Sequence, residues 1–144
     1  MKLSPNTRYA IRVLFELAGA SEPVSSTLLA EKTGLSPRVV ENIQSVLKHE
    51  GITSSAMGAR GGIRLKKNLS EISLGDMIYL FDDGIEFAVC CGEKSNDCPN
   101  QDFCETRSVW RSVSGLIQKE LDAVSLETIL RQYPKTINVF ESPD

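Results

Sequence analysis

Between Ser25 and Lys67 the spacing of the apolar residues changes once, at Gly51, from a helical period to a strand-like one. Upstream of the change, two short helical segments carry their own start and stop signals. Ser25 or Ser26 can cap the first, which runs through Lys32 and presents Leu28, Leu29 and Ala30; Gly34 supplies the turn beyond its end. Ser36-Pro37 opens the second. A serine accepts a backbone N–H at the cap, and a proline lacks only a donor that the first helical position leaves unpaired anyway. Val39, Val40, Ile43, Val46 and Leu47 are its apolar positions. Ala30 is small enough for two helices to approach, and Gly34 suits a left-handed backbone at the turn. Downstream, Ile52–Ser55 and Ile63–Leu65 are β-prone and flank Met57-Gly58-Ala59-Arg60-Gly61-Gly62, a glycine-rich hairpin tip. Two helices and then a hairpin predict a helix-turn-helix with a β wing.

The flanks read as helices. Ser4-Pro5 repeats the start signal, and Tyr9, Ala10, Val13, Leu14, Leu17 and Ala18 recur on one face until Glu22-Pro23. Asn68–Glu71 is a connection. Ser73 with Asp76 three residues on resembles a capping box and opens a fourth helix through Met77, Ile78, Leu80 and Phe81. Asp82-Asp83-Gly84 breaks it. From Glu105 a long helix resumes, with Val109, Trp110, Val113, Leu116, Ile117, Leu121 and Val124 on its apolar side; Ser125 and Pro134 bracket a last short one. The fold class expected is mainly α with a small β-hairpin wing: a winged helix-turn-helix plus a long C-terminal helix.

Charge is divided unevenly. Residues 1–70 hold ten Lys or Arg against five acids, net +5, whereas residues 71–144 hold six against fourteen, net −8. A basic half and an acidic half predict that one half meets a polyanion. Within the second helix of the pair, Ser36, Arg38, Glu41 and Asn42 stay outside near the N-terminus, where base edges are usually read. Arginine pairs with guanine, asparagine with adenine and a carboxylate with the cytosine amino group. Arg60 and Gly61 at the wing tip, with Arg64, Lys66 and Lys67 beside it, suit phosphate or minor-groove contact. Lys2 and Arg8 near the chain start join these candidate DNA contacts.

Four cysteines, Cys90, Cys91, Cys98 and Cys104, fall within fifteen residues of a stretch without periodicity. So long a loop in a small protein calls for something to organise it. A secreted disulfide framework spreads its cysteines over a fold; here they share one loop. The Cys91-x6-Cys98-x5-Cys104 spacing is wide for a zinc knuckle but lets three thiolates wrap a larger object, and thiolates are the usual ligands of iron–sulfur clusters. A regulatory disulfide, zinc and inert thiols stay open on spacing alone.

Other classes are excluded or weakened. With 41% hydrophobic and 24% charged residues the chain has globular composition, and its apolar runs fall far short of the ~20 residues that span a bilayer. Arg8, Arg12 and Glu16 interrupt the only stretch resembling a signal peptide, so a cytoplasmic location and no membrane contact are expected. One histidine, His49, read as a surface residue, and no nucleophile with a matched base offer little for an enzyme.

These residues together resemble the IscR/NsrR-type family of bacterial winged-helix iron–sulfur regulators. The resemblance is carried by Met1-Lys2-Leu3-Ser4 with Arg8-Tyr9-Ala10, by Leu35-Ser36, and by the wing ending Gly61-Gly62-Ile63-Arg64-Leu65. Leu74-Gly75-Asp76 and the three-cysteine loop followed by Val109-Trp110-Arg111 complete it over nearly the whole chain. It implies control of double-stranded promoter DNA and a homodimer joined by the long C-terminal helix, for which Trp110, Val113, Ile117 and Leu121 are the candidate contacts. It also implies a 2Fe–2S or 4Fe–4S cluster on Cys91, Cys98 and Cys104. The fourth ligand does not carry over: Arg107 stands where one branch places a histidine, and Arg8 where the other places an acid. Cys90 is the candidate by chemistry; Glu86, Glu93, Asp97, Asp102, Glu105 or a small molecule are alternatives. The wing also departs, its arginine moved inward to Arg60. The organisation expected is 1–83 as DNA-binding domain, 84–104 as cluster loop and 105–144 as dimerisation helix and tail. The function expected is a promoter-binding regulator governed by a cluster that senses iron–sulfur status, nitric oxide or redox state, the alternative being a cluster-free thiol–disulfide switch.

Overall fold

Three serines start three helices in the same way. The computed structural model describes residues 3–88, 98–100 and 102–132. Within it α1 (Pro5–Ala18), α2 (Ser26–Thr33) and α3 (Pro37–His49) are capped by Ser4, Ser25 and Ser36. Each cap oxygen accepts a backbone N–H three residues on, from Thr7 at 3.4 Å, Leu28 at 3.2 Å and Val39 at 3.3 Å. The α2–α3 turn closes as the glycine predicts. Gly34 sits at φ 67°, and the Leu35 N–H reaches back to the Ala30 carbonyl at 3.1 Å, which satisfies an end-of-helix acceptor.

The wing follows Gly51. β1 (Thr53–Ala56) and β2 (Gly62–Leu65) pair antiparallel, Thr53 opposite Leu65 and Ala56 opposite Gly62. Val24, in the α1–α2 connection, adds a one-residue third strand: its N–H and carbonyl exchange hydrogen bonds with Ile63, both at 2.8 Å. The wing is thereby sewn to the helical body rather than hung from its two ends.

A 3-10 turn (Leu69–Glu71) leads to α4 (Leu74–Asp82), opened by the expected Ser73–Asp76 capping box. α5 (Glu105–Asp122) and α6 (Leu126–Gln132) complete the described residues. The α5–α6 joint is stapled to the start of α4: the Leu74 N–H meets the Val124 carbonyl at 2.8 Å, and the Leu126 N–H meets Ile72 at 2.9 Å. Leu126 is fully buried in the same core as Leu14, Leu29, Ile43, Leu47 and Met77, so α6 returns to seal the core built by α1–α4. The first-helix stripe is close to expectation, with Ala10, Val13, Leu14 and Leu17 buried; Ala18 is exposed, and Thr7 is buried in its place.

Thr7 is inside because Asp82 meets it. At the end of α4, the Asp82 carboxylate accepts from the Thr7 hydroxyl and, at 2.9 Å, from the Ser4 N–H. Burial pushes its pKa up, but the Thr7 and Ser4 hydrogen bonds outweigh that and hold it below the usual 3.8. A depressed carboxylate stabilises the fold above its unfolded pKa, and that contribution disappears as pH falls through the lower folded value. Asp82→Asn is therefore expected to cost about 1–2 kcal/mol in urea denaturation at pH 7. The gap between variant and wild type should narrow as pH falls below the unfolded value and close once pH has passed the lower folded one, where both side chains are neutral.

Candidate functional site

The outer face of α3 is polar because its inner face is spent on the core. Val40, Ile43 and Leu47 are buried with Gln44, while Arg38, Glu41, Asn42, Ser45, Lys48 and His49 are exposed. At 100° per residue those six side chains fall within about one third of the helix circumference. The predicted contacts Arg38, Glu41 and Asn42 thus share one surface, and Ser45 extends it by a turn. Sequence reading passed over Ser45, although its spacing from Glu41 and Asn42 carried the signal. Ser36 is exposed, and its oxygen is engaged as the cap of α3, which leaves its hydroxyl proton as the group able to donate to a phosphate.

At the wing tip Arg60 is exposed and Gly61 half-buried. A Cβ at Gly61 would lie 2.5 Å from the Ala56 carbonyl oxygen, so closing the hairpin requires glycine at this position. Met57 is the most exposed large apolar side chain, at 96%, and stands on the same tip as Arg60. Arg8 is exposed in the first turns of α1, next to Thr7 and therefore near the end of α4. Lys2 lies outside the described residues.

Of the four thiols, Cys98 and Cys104 are described, half-buried and not in disulfides; Cys90 and Cys91 lie outside the described residues. Cys104 is the N-cap residue of α5, and its sulfur is 3.3 Å from the Thr106 hydroxyl. That hydroxyl and then the Arg107 backbone N–H favour the thiolate and lower its pKa from the ordinary 9.0, against a smaller opposing effect of burial. A thiolate-favouring position ahead of an 18-residue helix is suited to hold a soft cation. Among the described residues no three His, Cys, Asp or Glu side chains converge on one point.

α5 buries no residue completely. Val113, Ile117 and Leu121 are half-buried within the single chain, whereas Val109, Trp110 and Leu116 are 54%, 42% and 62% exposed. Where α5 crosses α4, Gly75 permits close approach: a Cβ there would meet the Asp122 and Gln118 side chains. Among the described residues no helix is long and apolar enough to cross a membrane.

Residues 3–132 match the family model described as Rrf2, iron-dependent transcriptional regulator. Protein rrf2 of Nitratidesulfovibrio vulgaris is 32% identical over 133 residues, covering 91% of this chain and 88% of that one. Among solved structures, T. potens IscR superposes with a TM-score of 0.71 at 27% identity, over 100% of this chain and 93% of the other. CymR, the global cysteine regulator of B. subtilis, gives 0.69 at 26%, over 92% and 98%. Together these matches identify the α2–α3 pair and its hairpin as the winged helix-turn-helix of a DNA-binding regulator, and not part of an enzyme. The chain belongs to the Rrf2 family of transcriptional regulators.

Proposed function

We propose that this regulator carries an iron–sulfur cluster on Cys91, Cys98 and Cys104, with Cys90 as fourth-ligand candidate, and that the cluster governs its affinity for promoter DNA. The observation that carries the proposal is the state of the described thiols. Cys98 and Cys104 are unpaired, and Cys104 sits where a hydroxyl, a backbone N–H and a helix start favour the thiolate that such a group requires. The donor set is soft and fits the group. The likeness to T. potens IscR supports it further. When bound, a cluster supplies a centre sensitive to iron supply, oxidants and nitric oxide.

The protein's own residues supply the rest. The cysteine segment runs from the end of α4, where Asp82 grips the start of α1, to the start of α5. Ordering or releasing that segment bears directly on how α5 leaves the DNA-reading body. Two chains pair through the apolar stripe of α5 around Val109, Trp110 and Leu116, with Val113, Ile117 and Leu121 beside it. The two α3 helices then enter successive major grooves, which requires a roughly palindromic operator with half-sites about one helical turn apart. Arg38, Glu41 and Asn42 read bases, and Arg60 reaches the backbone or minor groove.

Replacing Arg38 by alanine is expected to weaken binding to an operator selected by the wild-type chain by about 1–3 kcal/mol, with relaxed preference at one base pair. Titration of labelled duplexes by fluorescence anisotropy measures this. Unaltered base preference removes Arg38 from the reading set. A second reading, a thiol–disulfide switch without metal, draws support from the likeness to a regulator of cysteine. Mass spectrometry of the oxidised chain together with its iron content separates the two.

A further inference from the structure

Gln44 breaks the pattern of its own helix. It lies on the inward side of α3 and is only 8% exposed, at a position where Val40, Ile43 and Leu47 predict an apolar side chain. Its amide nitrogen donates to the Thr53 hydroxyl at 2.8 Å, and Thr53 is 2% exposed. Its amide oxygen is buried with no hydrogen-bond partner among the described residues. Apolar side chains at both positions would fill the same volume without burying an unpaired acceptor, so the polar pair is the costlier choice here. Where a sequence departs from local consistency at such a cost, function is the usual reason.

The two partners belong to the two DNA-touching elements. Gln44 sits about one turn along from Glu41 and nearly two from Arg38 on the reading helix. Thr53 is the first residue of β1, the strand that leads to the tip carrying Arg60. Elsewhere the wing is held by backbone bonds: Ile52 N–H to the Leu47 carbonyl at 2.9 Å, Lys66 N–H to the Ile52 carbonyl at 2.9 Å, and the Val24–Ile63 pair that ties β2 to the α1–α2 connection. Of these only the Ile52 bond reaches α3, and it lies beside Gly51 at the end of that helix. A directional side-chain bond between helix and strand fixes the angle that apolar packing leaves adjustable.

We infer that Gln44 is a positioning residue for operator recognition: through Thr53 it sets the wing against the reading helix so that both reach one DNA site together. Two contacts on one rigid body reinforce each other, because the second binds at the high effective concentration the first creates; a loosened joint loses that gain. The inference rests on the reading that Arg60 touches DNA.

The test uses the full chain and a duplex selected from a random pool by the wild-type protein. Arg60→Ala is expected to weaken binding roughly tenfold in the wild-type background. In the Gln44→Met background the same replacement should cost less than roughly threefold, while the double variant Gln44→Met/Thr53→Val, which leaves neither group unpaired, melts at or above wild type. Thr53→Val removes the bond from the other side and should shrink the Arg60 penalty equally. Thr53→Ser keeps the hydroxyl and should retain the full penalty. An equal Arg60 penalty in all backgrounds overturns the inference and leaves the wing contact standing. No Arg60 penalty in the wild type overturns both. A Gln44→Met chain that melts well below wild type, with the Arg60 penalty unchanged in Thr53→Val, assigns the pair to stability alone and also overturns it.

Discussion

One methyl group at position 62 is expected to unseat the wing. Gly62 has φ 152°, a backbone region that side chains rarely occupy, and an added Cβ would lie 2.7 Å from the Val24 carbonyl carbon and 2.8 Å from its oxygen. Those are backbone atoms of the strand that exchanges two hydrogen bonds with Ile63, so the clash cannot be relieved by turning a side chain. Backbone strain of about 1–3 kcal/mol and two weakened hydrogen bonds of about 1 kcal/mol each predict a loss of roughly 3–5 kcal/mol for Gly62→Ala. For a chain of this size that lowers Tm by roughly 6–20 °C. Operator affinity should fall with it, since the wing no longer sits beside α3. Gly58→Ala is the matched control: its φ is 101°, but a Cβ there meets open space. It should cost only the left-handed backbone penalty of about 1–2 kcal/mol. Equal melting temperatures for the two variants would show that Val24 does not anchor the wing.

The second large effect falls on the thiols. Cys104→Ala should reduce iron retention by roughly 100-fold or more after anaerobic reconstitution, because losing a ligand costs at least as much as losing a residue that supports one. The fold should barely respond. Cys104 is half-buried, and its sulfur makes only weak, solvent-exposed contacts with the first turn of α5, so a change within about 0.5 kcal/mol is expected. Iron analysis alongside thermal melting separates loss of a ligand from loss of structure. A variant that keeps its full iron content takes Cys104 out of the ligand set.

The helices of the DNA-reading half were legible because their signals are local. Ser4-Pro5 and Ser36-Pro37 marked starts, Gly34 and Gly51 marked stops, and the Ser73–Asp76 box needed no tertiary information. What the sequence could not reveal depends on contacts across the chain. The glycines of the wing read as a mobile tip, whereas Gly62 is required by Val24, nearly forty residues earlier. Thr7 is turned inward by Asp82, from the far end of α4, which no local signal of α1 announces. The period of α3 puts Gln44 on the inner side, but nothing local says that Thr53 lies beside it. On α5 the period grouped every apolar residue as one side. Only packing against α4 divides the half-covered Val113, Ile117 and Leu121 from the exposed Val109 and Leu116. The return of Leu126 to the core was equally hidden, because a short terminal helix carries no mark of its destination.

The decisive measurement isolates the chain without oxygen and follows iron, acid-labile sulfide and operator affinity in one sample. Cluster control by these thiols gives roughly two to four iron per chain with matching sulfide. Removing the iron with a chelator should change operator affinity, and anaerobic reconstitution should restore it. A chain that takes up no iron under those conditions, yet binds the operator with the same affinity before and after, contradicts the account.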